Sequence, residues 1–170
     1  MKKLNNLLIL SVFVLFIAIL ASCNKNEDPY AAYTPEREAS LIKDWKATIK
    51  LNKLHLDSTS TGIYFVRDTT KLGTGPTVKS GDKVTLKYVG MYLDGSVFDA
   101  SAYQSTDGTV IYVHKTDPWI QGWVEGIEVL SKGENAAFLI PSAKAYGTTG
   151  YRSIPPNTPL IFIIEVVDIK

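Results

Sequence analysis

The stretch Val84-Thr85-Leu86-Lys87-Tyr88-Val89 decides the fold. Side chains alternate across a strand with a period of two, so Val84, Leu86 and Tyr88 share one face and Thr85, Lys87 and Val89 the other. A face that is both aliphatic and aromatic belongs against a core. Working outward, Asp94-Gly95 is a hairpin turn signal. Upstream, Ile63–Arg67 reads as a short strand, and Lys71-Leu72-Gly73-Thr74-Gly75-Pro76 as a loop. Downstream, Val110–Val113, Ala136–Ile140 and the long β-branched run Leu160–Val167 read as further strands. Trp123, Ile127 and Leu130 stand at i, i+4 and i+7, which predicts one short helix from about Pro118 to Leu130. Antiparallel strands wrapped around a single helix make an α+β domain.

Before that domain, Thr34-Pro35-Glu36 supplies an N-cap, an N1 proline and a first-turn acid. Ile42, Trp45 and Ile49 follow on one stripe, so a helix is expected from about Pro35 to Lys50. It either packs on the domain or spaces it from what precedes. Polar His55–Thr61 then breaks the pattern. The 170 residues suffice for one domain with a real core plus extensions, and 45% hydrophobic with 21% charged residues is ordinary for a globular chain. The formal charge of +1 offers no electrostatic footprint for nucleic acid.

The chain begins with two lysines within Met1–Asn6, followed by Leu7–Ala21, apolar except for Ser11. That run is short for a membrane span and suits the core of a signal peptide. Leu20-Ala21-Ser22-Cys23 resembles a bacterial lipobox, which implies cleavage before Cys23 and acylation of that residue. Several acyl chains anchor stably where one binds marginally. The only cysteine is Cys23, so it has no partner for an internal disulfide. Losing Lys2 and Lys3 with the signal would leave 16 basic against 17 acidic side chains. No Asp follows Cys23, so the inner-membrane retention signal of some lipoproteins is missing, and a lipid anchor in the outer membrane is expected, facing either periplasm or surface. The expected organisation is a signal peptide over 1–22, a tether over 23–34, a helix and linker over 35–61, and the domain over 62–170.

Most enzyme templates fail. The chain carries no glycine-rich phosphate loop, no GxSxG elbow and no pattern for a metal site. His55 and His114 are the only histidines and are assigned surface roles. An aromatic set does stand out: Tyr88, Phe98, Tyr112, Trp119, Trp123, Tyr146, Tyr151 and Phe162. By composition alone these rings equally describe an ordinary core.

Four stretches resemble the FKBP family of peptidyl-prolyl isomerases, in the family's order and nearly its spacing. They are Gly81–Gly90, Asp94-Gly95-Ser96-Val97-Phe98-Asp99, Trp119-Ile120-Gln121-Gly122-Trp123-Val124-Glu125-Gly126, and Ala145-Tyr146-Gly147 through Ile154-Pro155-Pro156 to Leu160-Ile161-Phe162. The likeness spans roughly residues 62–170. It implies an antiparallel half-barrel curled over one short helix, with an apolar hollow between them. Carried over by position, Trp123 is the floor of that hollow and Tyr88, Phe98, Tyr112 and Phe162 are its walls. Ile120 offers its backbone N–H, Tyr146 its hydroxyl, and Asp99 a carboxylate at the rim. Val110, Trp119, Tyr151 and Ile154 complete the substrate-binding surface. Independently of the resemblance, Ile120 falls in the first turn of the expected helix, where N–H groups lack an internal partner.

The resemblance further implies proline-containing polypeptides as substrates and no cofactor. Four departures bear on it, the first a flap, Gly150–Pro155, one residue shorter than in compact family members. Trp119 stands where the family usually has a smaller aliphatic, Val110 occupies a site commonly aromatic, and Ala100–Val110 holds no arginine to pair with the rim aspartate. They weigh more against macrolide binding than against isomerisation. The expected function is a membrane-anchored isomerase assisting the folding of exported proteins. The alternative is a non-catalytic module that holds proline-containing segments of an envelope complex.

Overall fold

The computed structural model describes residues 34–71 and 73–170, so Cys23, the signal segment and nearly all of the tether lie outside the described residues. The first element is helix α1, Pro35–Leu51, whose N-cap Thr34 accepts a hydrogen bond from the Arg37 N–H at 3.2 Å. Strands β1 (Asp57–Ser58), β2 (Tyr64–Arg67), β3 (Thr74–Thr77), β4 (Lys83–Met91), β5 (Val97–Ala100) and β6 (Val110–Val113) follow. Helix α2 (Gln121–Ile127), β7 (Ser131–Lys132), β8 (Asn135–Ile140) and β9 (Leu160–Ile169) complete the order. This is the expected α+β architecture. The main sheet is antiparallel throughout, in the order β1-β2-β8-β9-β4-β5, with β6 also paired to β4.

The alternation read in β4 holds: Val84, Leu86 and Tyr88 are buried while Lys83 and Lys87 are exposed. One edge of β4 pairs with β9 almost end to end. On the other edge β6 takes Lys83–Leu86 and β5 takes Val89–Met91. The handover falls at Tyr88. There the ladder is interrupted, and buried Ser101 fills in: its hydroxyl oxygen accepts from the Tyr88 N–H at 3.0 Å and donates to Gly108 O at 2.6 Å.

Two apolar layers cover the two faces of the sheet. Phe65, Phe138, Ile140, Phe162 and Ile164 point to the layer that contains α2, with Trp123 and Ile127. Val66, Leu139, Tyr64 and Ile161 point the other way, against Trp45 and Ile49 of α1. The N-terminal helix therefore packs on the domain, which settles the choice left open by the sequence. It also explains why Ala136–Ile140 is apolar without alternation: β8 is covered on both faces. Helix α2 lies very close to the sheet. A Cβ on Gly122 would stand 2.2 Å from Ile140 Cγ2 and 3.2 Å from the Lys144 carbonyl oxygen, so only glycine permits this approach.

Four expectations need correction. The α2 helix is shorter than Pro118–Leu130, because Ile120 is its N-cap in extended conformation (ψ 146°) and Val129 and Leu130 follow in a tight turn. The Lys71–Pro76 loop ends early, since Thr74–Thr77 is β3 and pairs with β7. The polar linker His55–Thr61 contributes β1, an edge strand on Tyr64 and Phe65. His114 is not on the surface. It is fully buried, with Nδ1 2.9 Å from the Tyr112 hydroxyl and Nε2 3.0 Å from Glu128 Oε1. It stands two residues after buried Tyr112, just past the end of β6, and its ring turns inward like that of Tyr112.

Candidate active site

The expected rings converge. Around the fully buried indole of Trp123 stand Tyr88 at 5.0 Å and Phe162 at 5.2 Å, both edge-on, while Phe98 meets Phe162 edge-on at 5.6 Å. Edge-to-face contacts of this kind favour the ring quadrupoles. Each wall comes from a different element: Tyr88 from β4, Phe98 from β5, Tyr112 from β6 and Phe162 from β9. Gly90 makes room for two of them, because a Cβ there would sit 2.8 Å from Phe98 Cζ and 2.9 Å from Phe162 Cε1. Val110 packs half-buried against the same cluster. The indole N–H of Trp123 has no hydrogen-bond partner among the described residues.

Trp119 is where the structure departs most from the expected hollow. Its indole stacks on that of Trp123, with centroids 4.6 Å apart and planes 23° apart. Tyr88 and Tyr112 hold it edge-on at 5.7 and 5.6 Å. The floor is therefore covered by a neighbour's ring rather than open, and Tyr112 is fully buried behind it.

The polar rim is built around Tyr88. Its hydroxyl donates to Asp99 Oδ2 at 2.6 Å and accepts from Gln104 Nε2 at 2.6 Å. The other Asp99 oxygen accepts the Ala100 N–H at 2.8 Å. Among the described residues Asp99 thus has no basic partner, and a tyrosine and a main-chain donor orient it instead. Burial, followed by the bond to Asp99, holds the Tyr88 phenol well above its ordinary range. The Tyr146 phenol is also raised, by burial and then by Tyr151 and Asp99. Its hydroxyl makes no hydrogen bond among the described residues. The Tyr146 ring stacks on exposed Tyr151 at 5.1 Å, and Ile154 from the same flap is buried against the core. Tyr92 ties the flap to the sheet through its hydroxyl and Ser153 O, at 3.0 Å.

The N–H of Ile120 is likewise without a partner among the described residues, although its carbonyl accepts from Trp123 and Val124. It is free because Ile120 precedes the helix, not because it lies in the first turn. A partly buried side chain beside the ring cluster thus comes with an unused main-chain donor.

With rings, rim and donor in place, comparison with known proteins decides the family. The family described as FKBP-type peptidyl-prolyl cis-trans isomerase matches residues 75–167, more than half of the chain. The chain belongs to this FKBP family. It is 35% identical over 113 residues to the FKBP-type peptidyl-prolyl cis-trans isomerase FkpA of Escherichia coli K12, covering 66% of this chain and 40% of that protein. It is 38% identical over 119 residues to FK506-binding protein 4 of Chaetomium thermophilum, covering 68% of this chain and 24% of that protein. The chain thus spans well under half the length of these two relatives. A solved peptidyl-prolyl cis-trans isomerase from Pseudomonas syringae superposes with a TM-score of 0.67 at 28% identity, over 86% of this chain and 99% of that one.

Sequence reasoning missed several residues that organise this FKBP-type site. Gln104 and Ser101 lie between β5 and β6, where nothing in their spacing marks them. Glu38 of α1 reaches across the fold: its two carboxylate oxygens accept the Ser142 N–H and the Ser142 hydroxyl, each at 2.6 Å. The Ser142 carbonyl in turn accepts the N–H groups of Ala145 and Gly147, at 2.8 Å each. These two residues flank Tyr146, so the N-terminal helix braces the segment that carries it.

Proposed function

We propose that the domain accelerates cis/trans rotation at Xaa-Pro bonds of polypeptides and is tethered through acylated Cys23 to a bacterial envelope membrane, where it assists folding of exported proteins. The observation that carries this is a main-chain donor, at Ile120, without an acceptor among the described residues and beside a cage of rings. Rotating an amide sacrifices C–N resonance against a barrier of roughly 18–20 kcal/mol. For Xaa-Pro the two ground states differ by only about 0.5–1 kcal/mol, yet they exchange over tens to hundreds of seconds. The twisted amide separates less charge than the planar one, so an apolar, water-poor cage disfavours the planar form relative to the twisted form. Hydrogen bonds from Ile120 N–H and from the Tyr146 hydroxyl to the flanking peptide assist to the extent that they strengthen in the twisted geometry. Asp99 and Gln104 keep the Tyr88 ring in place, and no acid–base pair takes part.

Residues 23–34, fully extended, reach at most ~40 Å, which keeps the domain near the membrane surface. A second reading, a non-catalytic module holding proline-containing segments, is favoured by the cover that Trp119 forms over Trp123. One assay separates the two. The full chain in mild detergent is expected to speed exchange of a short Xaa-Pro peptide measured by exchange NMR. Rates equal to the uncatalysed reaction at micromolar protein would leave only the binding module. Cys23→Ser is expected to abolish acyl labelling in cells; persistent labelling contradicts the anchor.

A further inference from the structure

We propose that Trp119 is a self-occupying plug: its indole takes the place of the substrate's prolyl ring on Trp123, and ligands enter by displacing it. The inference rests on the isomerase reading above and adds what sets access to that site. Carbon atoms in contact lie about 3.5–4.0 Å apart, so two rings stacked at 4.6 Å leave no layer between them. A prolyl ring and the Trp119 indole cannot share that face of Trp123. Tyr88 and Tyr112 grip the edges of the plug, and both belong to the cage a substrate would meet.

The plug is built to move at its side chain alone. Its backbone is anchored: the Trp119 N–H donates to Asp117 O at 2.9 Å, and the Asp117 carboxylate accepts the Val113 N–H at 2.8 Å. Pro118 fixes the preceding φ. The indole itself makes no hydrogen bond among the described residues and is partly exposed, so ring contacts alone hold it, and solvent can receive it. A rotation about the Trp119 side-chain torsions clears Trp123 while Ile120 N–H stays where it is. Apparent affinity falls by the fraction of molecules that are open. The plug therefore discriminates by what a ligand gains on arrival: flexible peptides that can replace its ring contacts enter, whereas rigid ligands that need a preformed hollow are disfavoured.

The test compares the full chain in mild detergent with Trp119→Val and Trp119→Phe. Catalysis is read by exchange NMR on a blocked Ala-Leu-Pro-Phe peptide, and its dissociation constant by titrating the 19F lines of 5-fluorotryptophan-labelled protein. Trp119→Val is expected to lower both KM and the dissociation constant ~10-fold, the factor for a plug closed in about nine molecules of ten. Trp119→Phe, which keeps a smaller ring on Trp123, falls between. Unchanged or raised KM in Trp119→Val, with an active wild type, overturns the plug and leaves the isomerase reading standing. Tighter peptide binding by Trp119→Val without catalysis in any chain keeps the plug and removes the isomerase. Absence of both binding and catalysis in all three folded chains removes both. If Trp119→Val does not fold, Trp119→Phe decides alone: a lower KM supports the plug, and an equal or higher one overturns it.

Discussion

Replacing Glu38 with alanine removes the brace between the N-terminal helix and the segment that carries Tyr146. Two bonds of 2.6 Å disappear, and their donors belong to a serine that is only 4% exposed. Hydrogen bonds to charged groups contribute about 1.5–3 kcal/mol, and a buried main-chain N–H left unpaired costs about 1–3 kcal/mol. Glu38 itself is half-buried, so water recovers part of the loss, and the expected destabilisation is about 2 kcal/mol. With a urea slope of ~1–3 kcal/mol/M, the unfolding midpoint should fall by about 1 M. Glu38→Gln provides the contrast. Its amide oxygen can still accept the Ser142 N–H, and its NH2 can donate to the Ser142 hydroxyl, so it should lose less than about 1 kcal/mol. The slope should not change in either variant. Equal midpoints for wild type and Glu38→Ala would refute the brace, since a buried N–H cannot lose its acceptor without cost.

Other outcomes follow from the same contacts. Trp45→Ala empties the layer between α1 and the sheet, where the ring is 4% exposed, and should cost about 3–5 kcal/mol in urea unfolding; a loss below 1 kcal/mol would mean that the helix is a spacer. Raised folded pKa values at Tyr88 and Tyr146 predict the alkaline behaviour. Below the unfolded value of 10.0 both states hold the phenolic protons and stability does not depend on them. Above it the unfolded chain ionises first and binds fewer protons, so stability falls as pH rises. Absorbance at alkaline pH should therefore show these two phenols ionising late, together with unfolding rather than before it.

Much of this fold was legible because local rules agreed with the tertiary outcome. Thr34-Pro35-Glu36 starts α1 as capping chemistry requires, and Asp94-Gly95 turns the chain between β4 and β5, with Asp94 Oδ1 accepting the Ser96 N–H. The misreadings share a physical origin. Ile120 looked like the first turn because Trp123, Ile127 and Leu130 keep helical spacing, but spacing reports which residues face the core and not where the helix closes its bonds. Thr74–Thr77 and Asp57–Ser58 are strands only because a partner lies alongside; Gly75 and Pro76 carry no strand signal of their own. His114 has no catalytic partner close by in the sequence, which points to a surface role, yet Glu128, 14 residues on, meets its buried Nε2 at 3.0 Å.

Side-chain alternation in Val84–Val89, the periodic stripe in α1 and the turn chemistry are properties of neighbouring residues, so the sequence alone determined the class of fold and the inward face of β4. Whether those rings enclose a space or fill it depends on distances between residues far apart in the chain. Only the tertiary structure decided that Trp119 lies flat on Trp123, that Asp99 is held by Tyr88 and the Ala100 N–H, and that a helix near the N-terminus braces Tyr146 through Ser142. Each is a contact whose geometry is set by packing across the sheet, and no local pattern encodes it.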